Sequence, residues 1–240
     1  MHQIQPLDWD TNFFGYKIGK LHLPHETIIN TELLNSTDFD LVYIFAEQII
    51  DDEHLKSFNA NLYDIKIEFI KNIKTSLEML PQSETIGNHE VEIKKITELS
   101  DNLLYLVLES GVYSRFKLDK NFKNKEFERL YRAWIEKTLI DKDAEVIGAY
   151  INNDLIGFVS MSLKAGVADI GLIAVHPKAR GKHVGKRLLQ ASYSYAQKHQ
   201  SKALTVVTQE NNNQAMQFYQ NNGFIINHKN YIYHLWKKTC

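Results

Sequence analysis

Cysteine is nearly missing from this chain of 240 residues: there is one, Cys240, at the last position. A single thiol excludes an internal disulfide framework and any structural zinc site of the multi-cysteine kind. At a mobile, solvated chain end it is also a poor choice of nucleophile. Proline (4) and glycine (11) are too sparse for a disordered or linker-dominated chain. No run approaches 18 uninterrupted apolar residues, so no membrane span is expected. An excess of one charge is lacking too, with 28 Lys+Arg against 29 Asp+Glu and a formal net charge of −1. That balance argues against nucleic acid or an anionic membrane as a bulk partner, since both need a net basic surface. The stretch from Met1 to Pro6 has no charged region followed by an apolar one, so it does not read as a signal peptide. A soluble, cytoplasmic protein is expected. No repeat and no low-complexity tract is visible.

What is present is ordinary for a globular protein: 44% hydrophobic and 24% charged residues. At roughly 150 residues per domain, the length suits one large domain or one domain with a smaller companion. The turn-rich, apolar-poor stretch from Pro81 to Asn88 marks the best boundary. Residues 1–85 then read as a small α+β domain, with a buried strand at Asp40–Ala46 and a half-buried one carrying Ile65, Ile67 and Phe69. Residues 86–240 form the larger domain. Leu99–Leu108 and Phe127–Leu139 read as helices, the second with Phe127, Leu130, Tyr131, Trp134 and Ile135 on one face. Strands follow at Glu145–Ile151, Leu155–Leu163 and Ala168–Val175, the first two joined by the hairpin signal Asn152-Asn153-Asp154. A helix is expected from about Arg180 to His199, a strand at Ala203–Thr208 and a helix at Asn213–Asn221 that stops at Gly223. Two closing strands are expected at Phe224–Ile226 and Tyr231–Trp236.

The junction after the strand Ala168–Val175 carries the chemistry. It reads His176-Pro177-Lys178-Ala179-Arg180-Gly181-Lys182-His183-Val184-Gly185-Lys186-Arg187, with five Lys/Arg, two His and no acid. Basic residues oppose the dipole at a helix N-terminus, so their concentration there makes sense if a phosphate fills the position. Gly181 lets the backbone curl, and Gly185 allows close approach of a ligand or strand. The P-loop pattern does not fit, because Gly181 to Gly185 is one residue short and Arg187 follows Lys186 where a hydroxyl is needed. A Rossmann G-x-G-x-x-G is absent.

What fits is [RQ]-x-x-G-x-[GA], opened by Arg180 and closed by Gly185, with His183 in place of the middle glycine. A second element, Asn212-x-x-Ala215-x-x-Phe218-Tyr219-x-x-x-Gly223-Phe224, follows in order. Over about residues 145–237 the chain therefore resembles the GNAT N-acetyltransferases. Leu7-Asp8-Trp9-Asp10, Phe13-Phe14-Gly15, Ser114-Arg115-Phe116, Tyr131-x-x-Trp134-Ile135, Ile170-Gly171-Leu172 and Thr208-Gln209 add a similarity to the TDP-fucosamine acetyltransferase group. Those enzymes acetylate the amine of a nucleotide-linked 4-amino-4,6-dideoxysugar.

The resemblance implies an α/β (α+β) GNAT fold, a mixed central sheet flanked by helices beside a small N-terminal α+β unit. It implies acetyl-CoA as cosubstrate, bound by Ile173, Ala174, Val175, Arg180, Gly181, Lys182, His183, Val184, Gly185, Lys186 and Asn212. Tyr219 matches the general acid for the departing thiolate. A phenol near 10 and a thiol near 8.5 make full proton transfer uphill by roughly 2 kcal/mol, so Tyr219 is expected to act mainly as a hydrogen-bond donor. Phe13, Phe14, Tyr113 and Arg115 are candidates for a stacking face and a diphosphate cation, with core packing the plainer reading for the aromatic residues near the N-terminus. For the base, Glu109, Glu210, His176 and a water chain stay open. The alternatives are another small amine or a peptide as acceptor, or a CoA-binding module without turnover. Dimerisation is implied by the resemblance alone. No metal is expected: His22-x-x-His25 is interrupted by Pro24, and Asp8/Asp10 and Asp38/Asp40 read as solvated turns.

Overall fold

The computed structural model describes residues 3–24, 34, 37–50, 60–73, 83–86 and 89–237. Met1, His2, His25, Pro81, Gln82, Gly87, Asn88 and Cys240 lie outside the described residues, so the expectations resting on them are not taken further. The chain divides into two compact units. The first comprises residues 1–67, 209–213 and 228–240, the second residues 68–208 and 214–227. The expected boundary near residue 85 falls within the strand Ser83–Ile86.

The first unit carries β1 (Gln5–Pro6), α1 (Asp8–Phe14), β2 (Ile18–Leu23) and β3 (Leu41–Ala46). β1 pairs antiparallel with β2, and β2 runs parallel to β3. β3 is an unbroken apolar run, and Leu41, Val42, Tyr43, Ile44 and Ala46 are all buried, as a strand covered on both faces requires. β4 (Ala60–Asn72) begins in this unit and ends in the second. Along it Asp64, Ile67 and Phe69 are buried, whereas Ile65 is half-buried.

The second unit holds β5 (Ser83–Ile86), β6 (His89–Ile96), α2 (Asp101–Ser110), α3 (Arg115–Leu118), α4 (Glu126–Ile140), β7 (Ala144–Ile151), β8 (Asp154–Lys164) and β9 (Val167–Val175). After these come α5 (Val184–Lys198), β10 (Ala203–Gln209) and α6 (Asn213–Asn221). β5 to β9 form an antiparallel run in sequence order, and β10 adds to β9 in parallel. This is the mixed sheet with helices that the sequence implied. Its hairpins form where left-handed residues permit: Asn152 and Asn153 (φ 50° and 67°) between β7 and β8, Ala165 and Gly166 (φ 49° and 80°) between β8 and β9. α4 buries Phe127, Leu130, Tyr131 and Ile135, but Trp134 at its rim stays 39% exposed.

Two expectations are corrected. The helix does not start at Arg180: Pro177–Ala179 forms a 3₁₀ turn, and α5 begins at Val184 because Gly181 (φ 75°) and His183 (φ 53°) are left-handed. The two closing strands are one, β11 (Ile225–Trp236), whose residues Tyr231–Trp236 pair antiparallel with β3. No apolar alternation announced Asn227 to Asn230 as strand; backbone pairing decided it. Among the described residues, no helix is long and apolar enough to cross a membrane.

Candidate functional site

The site in the second unit starts with a fault in its sheet. The register of β8 against β9 shifts between Ser160 and Met161, so that Ser160 faces Leu172 while Met161 faces Ile170. Gly171 is the extra residue. A Cβ there would stand 3.1 Å from Ser160 Oγ, which accepts the Leu172 N–H at 2.8 Å. A bulge bends its strand and increases the local twist. Pairing of β9 with β10 accordingly covers only Ala168–Ile170 against Leu204–Val206. Beyond it, Ile173, Ala174 and Val175 are half-buried and keep their ladder with β8 alone, against Val159, Phe158 and Gly157. On the side away from β8, the backbone groups of Ile173 and Val175 have no ladder partner in β10.

At the end of β9 the basic loop begins. His176 Nδ1 accepts the Lys178 N–H at 3.2 Å and caps the 3₁₀ turn. The Arg180 side chain donates from Nε to the Val175 carbonyl (3.3 Å), and its guanidinium lies 3.8 Å from the Glu109 carboxylate on α2. The backbone N–H groups from Gly181 through Lys186 find no acceptor among the described residues; the first bond of α5 runs from Arg187 N–H to the His183 carbonyl. Free donors at a helix start, with the positive dipole end behind them, suit a phosphate. Lys178, Arg180, Lys182 and Lys186 are exposed around them. Arg187 departs from the expected cluster: it is only 3% exposed and reaches Gln190 at 3.5 Å.

Gly185, expected to allow close approach of a ligand or strand, lies against a helix and the end of strand β9. A Cβ on it would meet the Phe218 ring of α6 at 3.1 Å and Val175 Cγ2 at 3.8 Å. The start of α5, the end of β9 and α6 thus meet at this residue. Tyr219, next to Phe218, is 3% exposed, its ring 5.5 Å from Phe69, 5.5 Å from Phe218 and 5.6 Å from Phe224. Burial pushes its phenol well above the ordinary value. Its hydroxyl finds no hydrogen-bond partner among the described residues. Asn212 lies with the first unit, where its N–H donates to the Gln209 carbonyl at 3.0 Å.

Two of the four candidate bases are hydrogen-bonded to other groups, and Glu109 is held at 3.8 Å by Arg180, too long for a hydrogen bond. Glu210 Oε1 is 2.5 Å from Lys229 Nζ, a bond that raises the Lys229 pKa. His176, with Nδ1 accepting a backbone N–H, carries its proton on Nε2 and offers no lone pair there. Of the substrate candidates, Phe14 is 5% exposed, whereas Phe13 is half-buried and stacks on the exposed Trp9 at 4.8 Å. Tyr113 is 38% exposed. Arg115 is only 7% exposed, with its guanidinium 4.3 Å above the Phe116 ring. Ser160 and Lys71 carried no signal in the sequence, since each acts through partners remote along the chain. Among the described residues, no group of three or more His, Cys, Asp or Glu is placed to hold a metal ion.

Residues 111–224 match the family described as Acetyltransferase (GNAT) family. The spore coat polysaccharide biosynthesis protein SpsD of Bacillus subtilis (strain 168) is 25% identical over 219 residues, 91% of this chain and 73% of that protein. A functionally unknown conserved protein from Staphylococcus epidermidis ATCC 12228 has a similar fold, with TM-score 0.62 at 12% identity, over 97% of this chain and 89% of that one. A tandem GNAT protein from the clavulanic acid biosynthesis pathway follows, with TM-score 0.55 at 13% identity, over 93% and 76%. Bulged strand, donor-rich loop and family match fall in one stretch of chain: residues 111–224 form an acetyltransferase domain of the GNAT family, and the protein is an acyltransferase.

Proposed function

We propose that the protein transfers the acetyl group of acetyl-CoA, the acyl donor of its family, to the amine of a nucleotide-linked 4-amino-4,6-dideoxysugar, with TDP as the nucleotide. The observation that carries the donor half is the row of free N–H groups from Gly181 through Lys186, at the head of α5. Arg180, Lys182 and Lys186 stand around it as phosphate partners, while Val184 and Gly185 pack its base. His183 keeps its N–H available even though it replaces a glycine. The acceptor half rests on the sequence similarity to the TDP-fucosamine group and on a relative whose name places it in polysaccharide biosynthesis. The small N-terminal domain of residues 1–85 is assigned a share in holding the sugar nucleotide through Phe13, and Tyr113 is assigned to the acceptor as well; Phe14 (5% exposed) and Arg115 (7% exposed) are buried and drop out of that role.

In the reaction, the neutral amine attacks the thioester carbonyl carbon. The C–N bond forms, the C–S bond breaks, and the amine proton leaves through water or Glu109. Negative charge on the carbonyl oxygen is met by backbone N–H groups at the open end of β9, at Ile173 and Val175, while the Ala174 N–H stays in the ladder with Phe158 of β8. Tyr219 donates a hydrogen bond to the departing sulfur. Its burial keeps the phenol protonated, so donation suits it and full proton transfer lies further uphill. The proposal includes a cytoplasmic homodimer.

The test is thiol release from acetyl-CoA with a panel of TDP-aminosugars, free small amines and peptides. Turnover with TDP-4-amino-4,6-dideoxy-galactose above the other amines is expected. Equal or better turnover with a free amine or peptide refutes the acceptor assignment. With the best acceptor, Tyr219→Phe is expected to lower kcat by about tenfold to 10²-fold while leaving the dissociation constant of CoA unchanged.

A further inference from the structure

Lys71, near the end of β4, is the one cation of the second unit's described residues that sits against two rings and a helix end together. Its Nζ donates to the Asn222 carbonyl at 2.6 Å and to the Tyr193 hydroxyl at 3.1 Å. The ammonium lies 4.7 Å above the Tyr193 ring and 5.9 Å from the Phe224 ring. Asn222 follows the last residue of α6, where unpaired carbonyls and the negative dipole end collect. The turn there closes by left-handed Gly223 (φ 79°), with Phe224 N–H bonded to the Tyr219 carbonyl at 3.1 Å and Gly223 N–H to Gln220 at 3.0 Å. The Asn222 carbonyl is taken by Lys71.

Phe69 precedes Lys71 by two residues, on the same face of the strand. Its ring lies 5.5 Å from that of Tyr219. One strand face therefore grips α6 twice, with Phe69 against the tyrosine ring and Lys71 at the helix end. Through Tyr193 the same ammonium joins α6 to α5, the helix whose head carries the free N–H groups. Desolvation lowers the Lys71 pKa, and the two oxygens with the two ring faces compensate that cost.

We infer that Lys71 is a positioning residue for catalysis: it fixes the end of α6 to α5 and thereby aims the Tyr219 hydroxyl at the departing sulfur. The inference rests on the proposed role of Tyr219. A displacement of a reacting group by about 1 Å costs up to roughly 10²-fold in rate.

The experiment compares Lys71→Met, which keeps most of the side-chain stem, with Lys71→Arg and with each change combined with Tyr219→Phe. Lys71→Met is expected to lower kcat by about tenfold to 10²-fold with the CoA dissociation constant unchanged, and Lys71→Arg to recover most of the loss. On the Tyr219→Phe background, Lys71→Met should cost almost nothing further, because its effect runs through the missing hydroxyl. A full additional loss on that background, or a weakened CoA affinity with kcat intact, overturns the inference. An unchanged kcat in Tyr219→Phe alone refutes the tyrosine assignment instead. A reading independent of turnover comes from ¹³C at the tyrosine ring carbon bearing oxygen, in the CoA-bound protein. The resonance assigned to Tyr219 by its loss in Tyr219→Phe should move in Lys71→Met and return in Lys71→Arg; an unmoved resonance overturns the inference.

Discussion

Replacing His183 by glycine should stabilise this protein, although the change deletes a side chain. The backbone at His183 has φ 53° and ψ 7°, in the left-handed region. A Cβ in that region costs roughly 1–2 kcal/mol, and glycine escapes it. Against this, glycine adds unfolded-chain entropy of roughly 0.5–1 kcal/mol. His183 is exposed and, as the residue capping α5, makes no side-chain cap bond, so little packing or capping is lost. The balance is a gain of up to roughly 1.5 kcal/mol, which for a chain of this length raises Tm by at most about 6 °C. Calorimetry or dye-monitored melting of His183→Gly beside His183→Ala reads it, because alanine keeps the Cβ and the strain. Gly181→Ala supplies the mirror image: φ is 75° and nothing lies within 4 Å of the added Cβ, so its loss arises from the backbone alone. His183→Gly melting at or below His183→Ala would refute the reasoning, and the left-handed assignment at the head of α5 with it.

Other expectations follow from single contacts. Ser160→Ala leaves the Leu172 N–H without its 2.8 Å acceptor beside the bulge, and should cost roughly 1–3 kcal/mol in urea unfolding while weakening acetyl-CoA binding. Gly111→Ala puts a Cβ 2.3 Å from the Tyr131 ring, which is held between Phe127 (4.6 Å) and Trp134 (5.0 Å). Overpacking of roughly 1–3 kcal/mol is expected, read as a lower urea midpoint, and an unchanged midpoint would show that the ring swings aside freely. Alkaline stability carries a sign. Burial raises Tyr193 and Tyr195 to about 12 and Tyr219 further, all above the unfolded value of 10.0. Their contribution is complete below pH 10 and is lost as pH rises from 10 to about 12, since the unfolded chain ionises first. A urea midpoint that stays flat across that range contradicts the burial of these three phenols.

Much of the fold was legible because it is written locally. Periodicity placed α2, α4 and α6, and the Asn152-Asn153 pair placed the β7–β8 hairpin, since each signal depends on neighbours a few residues away. The same reasoning started the helix after β9 four residues early. Arg180 to His183 has no helix breaker stronger than one glycine, and the left-handed turn at His183 is held by the junction it belongs to. Gly185 was marked as a place where a ligand or strand comes close, and Phe218 of α6 with Val175 of β9 fills the space. Arg187 and Arg115 counted as available cations in the sequence, and burial removed both from the exposed surface.

By itself the sequence determined the family and the order of the elements, because a signature of short-range spacings, Arg180 to Gly185 and Asn212 to Phe224, constrains backbone and chemistry together. It also determined the near-neutral charge and the compact basic segment within it. Only the tertiary structure decided that β9 leaves β10 after Ile170, that Tyr219 is buried among Phe69, Phe218 and Phe224, and that Lys71 closes the end of α6. The physical reason is sequence separation. Lys71 and Asn222 stand 151 positions apart, and their bond exists only once the sheet has brought β4 beneath the helix that carries the tyrosine.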